Sequence, residues 1–95
     1  MAIVVMFEVE GATAERYDAV IRRLTANGER EPDGQLYHVC YGDRDSLQVI
    51  DIFESQAQLD AFGAKLVPIL HEIGIEANAS VFDVYNIPEG RQHAA

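Results

Sequence analysis

The sequence predicts an α+β fold in which two helices cover one face of a four-stranded antiparallel sheet. Three observations support this prediction. Two apolar strands joined by a tight turn lie in the middle of the chain, a helix with one apolar stripe lies on each side of them, and a further strand lies at each end. The order is βαββαβ, the ferredoxin-like unit. The 95 residues suffice for one domain, which we place at residues 1–87, with residues 88–95 as a flexible C-terminal tail.

The first strand and the first helix are predicted from the N-terminal third of the chain. Residues 3–9 are apolar on both faces of a strand, and Thr13 is suited to cap the helix that follows. Asn27 and Gly28 end this helix. Its apolar stripe recurs at helical spacing and consists of Tyr17, Val20, Ile21 and Leu24.

The hairpin over residues 35–54 carries one ionisable residue in the middle of each strand. If Gly42 pairs with Leu47 across the turn, His38 lies directly opposite Asp51. Both faces of the hairpin are largely apolar, so both need to be covered. One of them would bury a charge unless His38 and Asp51 pair with each other or line a polar cavity. The hairpin therefore predicts a pocket around this pair.

A second helix and a last strand follow the hairpin. Ser55 forms a capping box with Gln58 and begins the helix, and Gly74 ends it with a Schellman motif. Pro68 predicts that the helix kinks or splits in the preceding turn. The last strand is predicted over residues 80–86, where Val81, Asp83 and Tyr85 alternate with Phe82 and Val84.

The distribution of charge assigns the two faces of the sheet. We expect the helices to cover the uncharged face, which carries Tyr37, Val39, Ile50, Ile52, Phe82 and Val84. The opposite face then holds Leu36, His38, Cys40, Val49, Asp51, Phe53, Val81, Asp83 and Tyr85. An apolar face of this extent is too large for a monomer. We therefore expect two chains to stack sheet to sheet, or to join edges into a barrel, and to enclose this face as a cavity.

Composition argues against several classes of partner and cofactor. Sixteen acidic residues against seven basic ones give a net charge of -9, which disfavours nucleic acid and anionic membrane surfaces as partners. The single cysteine, Cys40, excludes an internal disulfide framework, and the apolar N-terminus lacks the basic residues of a signal peptide, so we expect a cytoplasmic protein. No spacing of ligands predicts a metal site, and no motif predicts a cofactor.

His38 and Asp51 are the candidate catalytic residues. In the functional interpretation His38 is a general base or a ligand anchor, and Asp51 orients it. In the structural interpretation the two residues form a hydrogen bond that satisfies both groups at a dimer interface. The sequence leaves both interpretations open.

Four further residues are candidates for ligand binding. Asp83 and Tyr85 would donate a proton or hydrogen-bond the ligand, although residues on an edge strand are often simply half solvated. Cys40 and Phe53 would line the same cavity. For Cys40, a small buried hydrophobic residue is an alternative to a nucleophile.

One block of the sequence resembles a known superfamily. Residues 49–62, Val-Ile-Asp-Ile-Phe-Glu-Ser-Gln-Ala-Gln-Leu-Asp-Ala-Phe, are similar to the strand-to-helix junction of the dimeric α/β barrel superfamily, especially its antibiotic biosynthesis monooxygenase-like group. The segment Leu36–Val39 also resembles small uncharacterised bacterial proteins. The resemblance implies a homodimer whose sheets form a barrel. The activities known in the superfamily include cofactor-free oxidation of phenolic polyketides, haem degradation, dechlorination and lactone isomerisation.

Three classes of function fit these observations. The first is a cofactor-independent enzyme, monooxygenase-like or isomerase-like, that acts on a hydrophobic or aromatic small molecule with His38 as base. The second is a non-catalytic module that binds such a ligand. The third is an oligomeric scaffold in which His38 and Asp51 only fix the interface. An open cavity would favour the first two classes, and turnover would separate them.

Overall fold

The computed structural model describes residues 1–88. Its elements follow the predicted order: β1 Ile3–Glu10, α1 Ala14–Ala26, β2 Gln35–Asp43, β3 Ser46–Phe53, α2 Gln56–Ile73 and β4 Glu76–Asp83. The strands form one antiparallel sheet in the order β2-β3-β1-β4. The predicted ferredoxin-like α+β fold is therefore confirmed. Apart from Pro88, the predicted C-terminal tail lies outside the described residues. No helix within residues 1–88 is long and apolar enough to cross a membrane.

The helices begin and end at the predicted capping residues. The side-chain oxygens of Thr13 and Ser55 each accept the backbone N–H three residues later. Gly74 takes the left-handed conformation with φ 95°, and the Ile75 N–H donates to the Leu70 carbonyl at 2.9 Å. This last bond is that of the predicted Schellman motif. Local sequence therefore sets the helix boundaries.

Helix α2 continues without interruption through Pro68, so the helix does not split there and that alternative of the prediction is wrong. A proline in a helix interior costs about 3 kcal/mol because it lacks an N–H and its ring clashes with the carbonyl four residues earlier. On either side of Pro68, however, Phe62 and Ile69 are buried in the core. A split helix would expose this apolar surface, and keeping it buried offsets the cost of the proline.

The last strand begins four residues earlier than predicted. It spans Glu76–Asp83 instead of residues 80–86 and pairs with β1 along its whole length. Residues 76–79 include two alanines and an asparagine, which have low strand propensity and gave no strand signal. Pairing with β1 overrides that weak local preference.

The hairpin register is the predicted one. Gly42 faces Leu47, and His38 faces Asp51. A register shift between Gln35 and Tyr37 interrupts the regular pairing only at the start of β2. The predicted opposition of His38 and Asp51 is therefore confirmed.

The predicted assignment of the sheet faces is wrong. The helices cover the face that carries His38 and Asp51, since Asp51 is only 3% exposed and Phe53 is fully buried against Phe62 of α2, with ring centroids 6.0 Å apart. The core on this side consists of Ile3, Val5, Ala12, Val20, Leu24, Phe53, Phe62, Ile69 and Ile75.

The face without helices carries the residues that the sequence had predicted to lie beneath the helices. Tyr37, Val39 and Phe82 on this face are 52%, 50% and 55% exposed. The charge criterion failed because His38 and Asp51 bond to each other. A paired carboxylate can be buried beneath a helix, whereas an unpaired one cannot without a large cost.

A pair of matched substitutions tests where the core lies. Val5 is fully buried and Val67 of α2 is 48% exposed. We expect Val5→Ala to lower the free energy of unfolding by about 2–3 kcal/mol, because it removes buried methyl groups and leaves a cavity. Val67→Ala should change it by less than about 0.5 kcal/mol. Urea denaturation measures both, and equal effects would contradict the placement of the core.

Candidate functional site

The His38–Asp51 pair extends to a third side chain, Tyr17 of α1. His38 Nδ1 lies 2.5 Å from Asp51 Oδ1, and His38 Nε2 lies 2.7 Å from the Tyr17 hydroxyl oxygen. A carboxylate only accepts hydrogen bonds, so Nδ1 carries a hydrogen, and a neutral imidazole then accepts the Tyr17 O–H at Nε2. Asp51, His38 and Tyr17 thus form one hydrogen-bonded chain, which we call the relay.

Three different elements position the members of the relay. Asp51 lies on β3 between two neighbouring strands, where it faces Val5 on one side and His38 on the other. Tyr17 lies in the first half of α1, with its ring nearly parallel to that of His38 at an angle of 9°. The His38 side chain is 33% exposed and that of Asp51 only 4%. The relay therefore runs from a buried carboxylate to a hydroxyl nearer the surface.

The relay borders a cavity of about 300 Å³ between the sheet and the two helices. The volume corresponds to about ten water molecules and lies at the lower end of the range of ligand pockets. The polar lining outside the relay comes from Arg30, Glu31 and Gln35. The apolar lining includes Phe7, Val9, Val20, Leu24, Phe62 and Leu66. The site is suited to an apolar molecule of bicyclic or tricyclic size that carries a few polar groups.

Burial controls the protonation of two side chains near the relay. It raises the pKa of the Tyr17 hydroxyl to about 12, so Tyr17 carries its proton at neutral pH. Burial also raises the pKa of the Cys40 thiol, which favours the thiol over the nucleophilic thiolate. Tyr17 thus keeps a hydrogen that it can donate to a neutral His38 or to Cys40, whose thiol lies within hydrogen-bonding reach of it, and Cys40 lacks the features of an activated nucleophile.

The structure brings two of the six predicted site residues together at the cavity. His38 and Asp51 line it. Within the described chain, its lining residues do not include Phe53, Cys40, Asp83 or Tyr85. Phe53 lies in the core, and Asp83 is exposed at the end of the edge strand β4. Tyr85 is fully exposed beyond that strand.

Sequence reasoning missed Tyr17 as a member of the site. Its position in the apolar stripe of α1 led to its interpretation as a core residue. The signal that was available is its hydroxyl, because a tyrosine in an otherwise aliphatic stripe needs a hydrogen-bond partner when it is buried.

Within residues 1–88, no three His, Cys, Asp or Glu side chains are grouped so as to hold a metal ion.

Comparison with known proteins finds similar solved structures. No protein-family model matches this chain, and no curated protein matches it by sequence. The cofactor-independent oxygenase SnoaB from Streptomyces nogalater is similar with a TM-score of 0.59 at 20% identity, over 93% of this chain and 96% of that chain. Rv0793 from Mycobacterium tuberculosis is similar with a TM-score of 0.64 at 14% identity, over 94% of this chain and 100% of that chain.

A third solved structure is similar to this chain over most of its length. A candidate antibiotic biosynthesis monooxygenase from Deinococcus radiodurans is similar with a TM-score of 0.59 at 13% identity, over 94% of this chain and 97% of that chain. At these identities the likeness shows the fold. The chain shares its ferredoxin-like fold with these solved structures.

The raised pKa of Tyr17 predicts how stability changes at alkaline pH. The folded value, about 12, lies above the ordinary value of 10.0. The contribution of the protonated hydroxyl is therefore fully present below pH 10 and is lost as the pH rises towards the folded value. We expect wild type to lose more free energy of unfolding than Tyr17→Phe from about pH 9 to about pH 11. Urea denaturation at both pH values measures this difference.

Tyr85→Phe is the matched control, because Tyr85 is fully exposed. It should follow the wild-type profile. The interpretation of Tyr17 would be wrong if Tyr17→Phe and Tyr85→Phe had the same alkaline profile.

Proposed function

We propose that this chain is a small cofactor-independent enzyme, monooxygenase-like, that removes a proton from a hydrophobic aromatic molecule. The observation that carries the proposal is the relay, which runs from a buried carboxylate through an imidazole to a hydroxyl at an apolar cavity. Pairs of titratable groups in clefts are enriched at functional sites. The fold shared with an oxygenase that needs no cofactor is consistent with this chemistry but does not carry it.

The relay offers a direct path for the proton. An acidic O–H or C–H of the substrate would lie against the Tyr17 oxygen. As Tyr17 passes its own hydrogen to His38 Nε2, it takes the substrate proton in its place. The imidazolium that forms lies beside the Asp51 carboxylate, which stabilises its charge. Because the pKa of Tyr17 is raised to about 12, a free phenolate is disfavoured, and we infer that the two proton transfers are concerted.

Loss of the proton would prepare the substrate for oxidation. The electron-rich anion gives electrons to molecular oxygen, which is the co-substrate. Overall a CH₂ group and O₂ become a C=O group and water, so that the substrate is oxidised and oxygen reduced with no protein-bound redox group. The apolar walls of the cavity are suited to both the aromatic ring and oxygen.

Turnover of a phenolic tricyclic ketone tests the proposal. The probe is dithranol, whose CH₂ group is acidic and readily oxidised. Oxygen uptake and absorbance are recorded above the uncatalysed rate for wild type, Tyr17→Phe and His38→Gln. We expect both variants to lose about a hundredfold or more in rate, because each interrupts the proton path.

Tyr41→Phe is the matched control for this experiment, because Tyr41 is 44% exposed on the helix-free face. It should keep the wild-type rate. Turnover without oxygen uptake would instead indicate an isomerase, which returns the proton to another carbon. Binding of dithranol without turnover would indicate the non-catalytic ligand-binding alternative.

We also propose that the chain forms a homodimer through its helix-free face. This face combines apolar side chains that are half or more exposed with others that are partly exposed. Its apolar members are Val4, Met6, Tyr37, Val39, Ile50, Ile52 and Phe82. A second copy of the sheet would cover a patch that monomers seldom leave in water.

A charge placed in this patch tests the dimer. We expect the wild type to sediment as a dimer at micromolar concentration and Val39→Glu to shift it towards monomer, since a carboxylate there would be buried without a partner. Val67→Glu places the same charge on the exposed side of α2 and should remain dimeric. A monomeric wild type would refute the proposed dimer.

A further inference from the structure

The cavity contains a basic residue that the relay does not use. Arg30 is the one lysine or arginine among the described residues that line it. It lies in the segment between α1 and β2 and is exposed. The whole chain has seven basic residues against sixteen acidic ones. A positive charge at the cavity is therefore opposite in sign to the net charge of the protein, and it needs a local explanation.

The guanidinium of Arg30 is not engaged by another part of the described chain. Arg23 and Lys65 form ion pairs, and Arg16 donates to two backbone carbonyls. Within residues 1–88 no side-chain hydrogen bond or ion pair holds Arg30 in this way. Its planar set of donors is thus available to a ligand oxygen.

Arg30 lies within electrostatic reach of the relay. Burial sets the high pKa of Tyr17, and the positive charge of Arg30 acts in the opposite direction on the same pKa. Such an effect requires the guanidinium to lie near the hydroxyl, and both residues line the same cavity. A substrate whose proton lies at Tyr17 would therefore feel the charge of Arg30.

Two carboxylates, those of Asp51 and Glu31, also line this cavity. Asp51 is bonded to His38. Glu31 lies at the boundary with a second cavity of about 380 Å³, which it lines together with Glu29 and Lys65, whereas Arg30 lines only the first cavity. Among the described residues that line the first cavity, Arg30 is thus the one arginine or lysine that can pair with an anionic oxygen of a ligand.

We propose that Arg30 determines specificity by binding an anionic oxygen of the substrate, either a carboxylate or an acidic phenol or enol. This inference rests on the proposed function, in which the cavity holds the substrate against Tyr17. The apolar ring system lies against the cavity wall, and the guanidinium binds the oxygen through charge-assisted hydrogen bonds. When the relay takes the proton, the negative charge left on the substrate is stabilised by the same guanidinium.

Binding of an acid and its ester tests the proposal without requiring turnover. The probes are 2-naphthoate and methyl 2-naphthoate, which share one ring system and differ in charge. Calorimetric titration gives the dissociation constants for wild type and Arg30→Gln. We expect wild type to bind the acid more tightly than the ester. Arg30→Gln should raise the dissociation constant of the acid about tenfold or more and change that of the ester less than about twofold.

Two further variants separate charge from geometry and from general effects. Arg30→Lys keeps the charge but loses the planar donors, so its affinity for the acid should fall between wild type and Arg30→Gln. Arg22→Gln removes an exposed arginine of α1 that does not line the cavity, and it should bind both probes like wild type. Equal weakening of acid and ester by Arg30→Gln would overturn the role of Arg30.

Failure of the acid to bind wild type at millimolar concentration would overturn the role of Arg30 as well.

The proposed enzyme and the proposed role of Arg30 can fail separately. If dithranol turnover depends on Tyr17 and His38 but Arg30→Gln leaves the acid bound as tightly as before, only the role of Arg30 is wrong. If Arg30 selects the acid but no dithranol is turned over, the enzyme is wrong and the anion site stands.

Discussion

The hydrogen bond between His38 and the buried Asp51 is the constraint on which the rest of this structure depends. Asp51 lies on a strand with neighbours on both sides and is almost inaccessible to water, so its carboxylate needs a partner within the protein. The hairpin register supplies His38 directly opposite. With that bond made, the helices can cover this face, and Tyr17 of α1 meets the second nitrogen of the imidazole. The candidate site is thus a consequence of one cross-strand pair.

A buried ionisable pair is weak evidence for stability, since desolvation can cancel the attraction between its members. Its effect on chemistry is easier to state. The carboxylate fixes which imidazole nitrogen carries the hydrogen and holds the ring in place, so the other nitrogen is directed at Tyr17. An apolar core in place of the pair would need no such arrangement. The proposed function therefore rests on this arrangement of the pair.

The sequence was sufficient where local chemistry decides the outcome. The alternation of the hairpin strands and the turn at Gly42 determined the register, and Thr13 and Ser55 marked the helix starts. It was insufficient where tertiary packing competes with a local preference. Pro68 is tolerated because Phe62 and Ile69, on either side of it, are buried, and the early part of β4 forms because β1 pairs with it.

The error over the sheet faces shows the same competition within the site. The charges of His38 and Asp51 predicted that their face lies away from the helices, because both groups were expected to avoid burial. Their mutual hydrogen bond removes the reason to avoid burial. The corrected faces also separate two functions that the sequence had combined. A second copy on the helix-free face would lie across the sheet from the cavity. Each chain therefore completes its own relay, and dimerisation need not supply any residue to it.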